Sequence, residues 1–87
     1  MEIYLIFQVN ILKAEPNDPK ECFICAFRSY DDAIAKARRL SVRVADTSLK
    51  IVKRYDATLS SLCPFASVCV NNDGDAIRFE VRKDYLL

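Results

Sequence analysis

The chain has no histidine, so any metal or redox chemistry would fall to its four thiols, Cys22, Cys25, Cys63 and Cys69. Four thiolates around one point hold zinc tetrahedrally, and a CxxC pair exchanges a disulfide when both sulfurs project from a turn or a helix start. The spacings argue against both chemistries. Phe23 and Ile24 fill the first gap, and in an extended strand residues three apart project to opposite faces, so Cys22 and Cys25 should diverge. Cys63 and Cys69 are separated by five residues, the first of them Pro64, which is not a recognised ligand spacing. The four cysteines therefore read as reduced, small apolar side chains. No metal and no other cofactor is expected.

Acid/base and nucleophilic chemistry has even less to work with. Without histidine, a serine or cysteine nucleophile lacks its usual base. With a single glycine there is no phosphate cradle and no dinucleotide fingerprint. The adjacent carboxylates Asp31 and Asp32 suit the positive end of a helix dipole better than catalysis. Asn71, Asp73 and Asp75 alternate like the start of a calcium loop. Such a loop, however, places its glycine two residues beyond Gly74 and a glutamate where Arg82 stands. Hairpin chemistry explains these residues instead. No catalytic residue is assigned, and the chain is expected not to be an enzyme.

What remains is charge. Residues 36–54 carry seven of the thirteen basic residues against one acid, a net of +6, whereas residues 1–35 net −3 and residues 55–87 net −2. Arg38, Arg39, Arg43, Lys50, Lys53 and Arg54 are accordingly the candidate partner-binding residues. A contiguous patch of this kind could contact several phosphates with salt-dependent affinity. The sequence pI of about 7.6 and the absence of tryptophan favour an acidic protein surface as the partner, with a nucleic acid as the alternative.

The elements that must position these residues follow from hydrophobic period. Ile3, Leu5, Phe7, Val9 and Ile11 alternate with Glu2, Gln8 and Asn10, which predicts a strand with an apolar odd face. Pro16, Asn17, Asp18 and Pro19 predict a loop, and Cys22 to Phe27, apolar throughout, predicts an interior strand buried on both sides. Ser29 should cap a helix over residues 30–43, with Ala33, Ala37, Leu40 and Val44 as its sheet-facing stripe. Its basic residues follow Asp31 and Asp32 in the order the helix dipole favours. Ser48 to Asp56 predicts a third strand, with Leu49 and Ile51 on one face and Lys50, Val52 and Arg54 on the other. The 57–64 segment reads as a short helical turn ended by Pro64. Phe65–Val70 and Ala76–Arg82 predict a hairpin turning at Asp73-Gly74, with Ile77, Phe79 and Val81 inward and Arg78, Glu80 and Arg82 outward.

The result is an α+β fold in ββαβββ order, a mostly antiparallel sheet with one helix packed on one face. Its expected core is Ile3, Leu5, Phe7, Ile24, Ala33, Ala37, Leu40, Ile51, Val68, Ile77, Phe79 and Val81. Eighty-seven residues, 52% hydrophobic and 29% charged, suit one small domain spanning residues 1–87. The start of the chain lacks the basic opening and long core of a secretory signal, and no apolar stretch approaches the roughly 20 residues that span a bilayer. A cytoplasmic protein without a membrane partner is expected. Tyr4, Ile6 and Leu12 add apolar groups to the polar face of the first strand, so the helix-free side of the sheet also needs cover. The long loop or the 57–64 segment could supply it, as could a second copy forming a homodimer through that open face, or another protein, and the apolar C-terminal Tyr85-Leu86-Leu87 poses the same choice. A module of this size and class, without a catalytic or metal constellation, is expected to bind another protein as a small inhibitor or adaptor. Phage inhibitors of host defence such as anti-CRISPR proteins are comparable in size and class alone.

Overall fold

The structure, a computed structural model, describes residues 1–86; Leu87, the last of the apolar C-terminal trio, lies outside the described residues. The elements are β1 (Glu2–Leu12), β2 (Glu15–Phe27), α1 (Tyr30–Thr47), β3 (Ile51–Ala57), β4 (Phe65–Asn71) and β5 (Ala76–Tyr85). The five strands form one antiparallel sheet in the spatial order β2-β1-β5-β4-β3. With α1 packed on one side, this is the ββαβββ α+β fold that hydrophobic period predicts.

The helix begins where the capping chemistry places it. The Ser29 side chain accepts a hydrogen bond from the Asp32 amide at 3.3 Å, and Asp31 and Asp32 occupy the first turn. Ala33 and Ala37 are fully buried against Ile6, Phe65, Phe79 and Val81, because methyl side chains let the helix axis approach the sheet closely. The helix runs past the expected end at residue 43 to Thr47. Its stripe continues through Ser41, a buried polar residue that apolar patterning does not register. The Ser41 hydroxyl bonds the Arg38 carbonyl at 2.9 Å and the Ser67 hydroxyl at 2.6 Å, so its burial leaves no orphaned group. The added turn leaves Arg38, Arg39 and Arg43 in mid-helix and no basic residue in the last turn. Dipole stabilisation therefore does not account for them.

At the β4–β5 turn, Asn71 Oδ1 accepts from the amides of both Asp73 and Asp75 at 2.9 Å. Gly74 takes φ +88°, which a side chain would adopt only with strain. A Cβ there would also come within 2.8 Å of Lys13 Cδ, and Asp75 Oδ1 accepts from the Lys13 amide at 2.9 Å. The two hairpin turns are thus tied together.

Four further expectations need correction. First, the helix covers the even face of β1: Tyr4 and Ile6 pack on the core cluster, and Ile6 is opposite Val81 and Cys25. Leu5, Phe7 and Val9 pair with Arg82, Glu80 and Arg78 on the other side, as does Val68 with Arg78. Both faces of β1 carry large apolar residues, Tyr4 and Ile6 on the even one, so alternation alone could not say which one meets the helix. Second, β2 is an edge strand, because β1 turns its other side to β5. The predicted loop is only the Lys13-Ala14 turn, and Pro16 and Pro19 are tolerated in extended chain because an edge has unpaired positions. Third, β3 begins at Ile51, with Leu49 fully exposed in the turn before it. A register irregularity between Ile51 and Lys53 resets the alternation, so Ile51 is only half-buried. Fourth, Thr58 to Pro64 is an irregular loop rather than a helical turn, closed by the Thr58 hydroxyl on the Pro64 carbonyl at 3.0 Å.

Ala37→Leu should lower stability by about 1–3 kcal/mol through overpacking, whereas Arg39→Ala should change it by less than about 0.5 kcal/mol. Thermal unfolding followed by circular dichroism distinguishes them.

Candidate functional site

The sheet surface opposite α1 forms a grid that can be read from the pairing registers. One row runs Phe23, Phe7, Glu80, Ala66, Ala57, and the next runs Glu21, Val9, Arg78, Val68, Tyr55. Leu5 and Arg82 begin a third row, with Leu62 from the 58–64 loop beside them. This side therefore alternates apolar and charged columns, with the charges on the central strand β5.

Glu80 sits at the middle with only 5% of its side chain exposed. A carboxylate so placed must be paired, and two guanidinium groups do this. Arg78 donates from Nε and Nη2 to Glu80 Oε2, each at 2.9 Å, and Arg82 donates from Nε to Oε1 at 3.1 Å. Arg82 then reaches across the Phe7 ring, 4.2 Å from its centroid, to a two-pronged contact with Glu21 at 2.7 and 3.3 Å. These hydrogen bonds hold the Glu21 carboxyl below its usual range and raise the Arg82 guanidinium further. Glu21 therefore adds stability above its unfolded pKa of roughly 4.3, and that contribution is lost as pH falls through its lower folded value. Both arginine side chains keep 28% exposure, so the ladder is buried at its centre and wet at its rim.

A recess of about 390 Å³ opens at the end of this face, lined by Leu5, Phe7, Leu62, Arg82 and the Lys83–Tyr85 segment. Phe23 and Leu62, 54% and 64% exposed, and the half-exposed Tyr55 stand around the ladder. The sequence predicts Arg78, Glu80 and Arg82 outward and does not mark them as a site. The available signal was their alternating sign at period two on a strand whose turn chemistry already made it part of a hairpin.

The six basic candidates do not form one surface. Arg38 and Arg54 lie on the helix side: Arg38 Nε donates to Asp56 at 3.1 Å, and Arg54 Nη1 approaches the Ser41 hydroxyl at 3.4 Å. Lys53, one residue earlier on β3, pairs with Val70 and stands 5.0 Å from the Tyr55 ring on the opposite side. Arg39 and Arg43 are exposed, one helical turn apart, on the solvent side of α1, with Asp32 and Asp46 on the same helix. Lys50 is in the turn before β3, its carbonyl accepting from the Asn72 amide at 2.9 Å. The run is divided because consecutive strand residues face opposite ways and the helix places its arginines away from the sheet.

The cysteines divide similarly. Cys22 pairs with Gln8 and Cys25 with Ile6, so both face the helix side, contrary to the divergence expected of a regular strand. Ile24 is an extra residue in a β-bulge between Ile6 and Phe7, and it restores the same side. Cys63 lies on the open side, its thiol 3.7 Å from Glu80, whereas Cys69 lies under the helix, 3.4 Å from the Ser41 carbonyl. Burial, helped by the Glu80 charge, pushes the Cys63 thiol up to about 11, and burial raises Cys69 as well. Among the described residues no group of three or more cysteine, aspartate or glutamate side chains is placed to hold a metal ion.

In native protein at pH 8, the exposed Cys22 should react with a thiol reagent within minutes, the half-buried Cys25 more slowly and the buried Cys63 and Cys69 slowest, with all four reacting in denaturant. Equal rates would contradict the placement. Glu80→Ala, which leaves the Arg78 guanidinium without a carboxylate and Arg82 with Glu21 alone, should cost about 2–3 kcal/mol, somewhat below a fully buried pair. Glu80→Gln should recover part of that loss in a denaturant titration.

Comparison with protein-family models, curated proteins and solved structures finds no match to this chain.

Proposed function

We propose that the chain is a non-enzymatic protein-binding module, a small inhibitor or adaptor, that docks the helix-free face of its sheet on a larger protein. The carrying observation is the coincidence on one face of exposed Phe23, Tyr55 and Leu62, the recess between Leu5 and Phe7, and two guanidinium groups held rigid by Glu80. Aromatic and arginine side chains fixed around an apolar recess are the types that dominate protein interfaces. Arginines locked in advance lose little freedom on binding.

The partner fitted to this face offers an apolar side chain to the recess and carboxylates to its rim. Lys53, Arg78 and Arg82 outnumber Glu21 and Glu80 there, so an acidic protein surface is complementary. Charge would speed oriented encounter, and the apolar anchors would set the lifetime. A nucleic acid gains no support from the divided basic run. A cytoplasmic setting, which keeps thiols reduced, suits the exposed Cys22. No helix among the described residues is long and apolar enough to cross a membrane.

Affinity capture from the native host, with and without nuclease, tests this reading. Tyr55→Asp combined with Leu62→Asp should reduce retention of the captured protein by about tenfold or more, as loss of interface anchors does, while leaving thermal stability nearly unchanged. Lys53→Glu should slow association, and Arg39→Glu with Arg43→Glu should change nothing. Capture that disappears with nuclease, that survives the double aspartate variant, or that brings down only further copies of the chain would overturn the proposal.

A further inference from the structure

We infer that the Glu21 to Phe27 edge of β2, with Arg28 just beyond the strand, pairs antiparallel with the same segment of a second copy, in a register centred on the Ile24–Cys25 peptide. The inference does not depend on what binds the helix-free face.

Sheet edges ordinarily carry devices that prevent such pairing. The outer strand β3 has Lys53, Arg54 and Asp56, and the first half of β2 has Pro16, Asp18, Pro19 and Lys20. Cys22 to Phe27 has neither charge nor proline, although β2 is paired on one side alone. This unguarded window is six residues long.

The bulge selects the register. Antiparallel neighbours must project to the same side of the sheet. Along β2, Glu21, Phe23 and Ala26 project to the helix-free side, opposite Val9, Phe7 and Leu5, while Cys22, Cys25 and Phe27 project to the helix side, opposite Gln8, Ile6 and Tyr4. The extra residue Ile24 packs toward the helix core together with Cys25. Arg28 is in the bend just past β2, and extending the strand alternation onto it in the dimer puts it on the helix-free side. From Glu21 to Arg28 the pattern of sides therefore reads identically in both directions about the Ile24–Cys25 bond. A two-fold axis there pairs Ile24 with Cys25, Phe23 with Ala26 and Cys22 with Phe27 of the second copy, every pair on a common side. Sliding one strand by one or two residues either way sets at least one pair on opposite sides. A bulge normally spoils an edge, but in this register bulge residues oppose bulge residues, two against two.

Charge completes the match. The same register brings Glu21 opposite Arg28 of the second copy, and by symmetry it does so twice. Arg28 is exposed and makes no ion pair among the described residues. The small Ala26 side chain leaves room beside the exposed Phe23 ring of the other copy. The product is a continuous ten-stranded sheet, twice the five strands of one copy, with both helices on one side and both ladders on the other.

Sedimentation of the purified chain under reducing conditions, over a range of concentrations, tests the inference. The wild type should be a reversible dimer. Arg28→Glu, which sets like charges opposite each other at two places, should weaken dimerisation about tenfold. Ala26→Lys should give a monomer, with circular dichroism confirming that each variant is folded. A wild type that stays monomeric at every concentration would overturn the inference, and so would a dimer indifferent to Arg28→Glu and Ala26→Lys.

Discussion

An 18-residue helix is about 27 Å long and covers one side of a sheet. The other side of these five strands must meet water or a partner, and most of the chain's organisation follows from that constraint. Beneath the helix the solution is ordinary: alanines for close approach, Phe65, Phe79 and Val81 for bulk, and a serine pair with its hydroxyls satisfied. On the open side the chain keeps apolar columns from β1 and β4 and separates them with a charged column from β5.

That charged column does two things at once. The stems of Arg78 and Arg82 lie among Val9, Val68 and Phe7, shielding them from water while the charged heads stay at the surface. Val9, Val68 and Ala66 are consequently buried although no helix lies over them. The ion pairs also hold the two guanidinium groups in place, so a surface made partly of flexible side chains behaves as a rigid one. The face is polar enough to remain in water, and its charged side chains are held in order.

Much of the architecture was legible in the sequence because its signals were local. The Ser29 cap with Asp31 and Asp32, the Ala33/Ala37 stripe, and the Asn71 to Asp75 turn each follow from chemistry within a few residues, and element order follows from them. Facing and strand order were not legible. Which side of β1 meets the helix depends on the choice between two apolar faces, and the edge position of β2 depends on β5 inserting beside β1, a pairing between chain ends. The bulge at Ile24 leaves no mark in composition, yet it turns Cys25 to the same side as Cys22. The basic run misled for a related reason. Charge density along a chain is a one-dimensional quantity, and the strand alternation from Lys53 to Arg54 sends neighbouring charges to opposite sides of the sheet. The site residues themselves were visible only as outward positions, since their meaning comes from β5 being central.

The central claim, that recognition uses the helix-free side, is tested most directly by hydroxyl-radical footprinting of the chain free and in its captured complex. Phe7, Tyr55 and Leu62 should lose labelling on binding, while Val42 on α1 and Leu49 in the turn before β3 keep theirs, both being exposed and remote from the ladder. Protection at Val42 and Leu49 with unchanged labelling at Tyr55 and Leu62 would contradict the account.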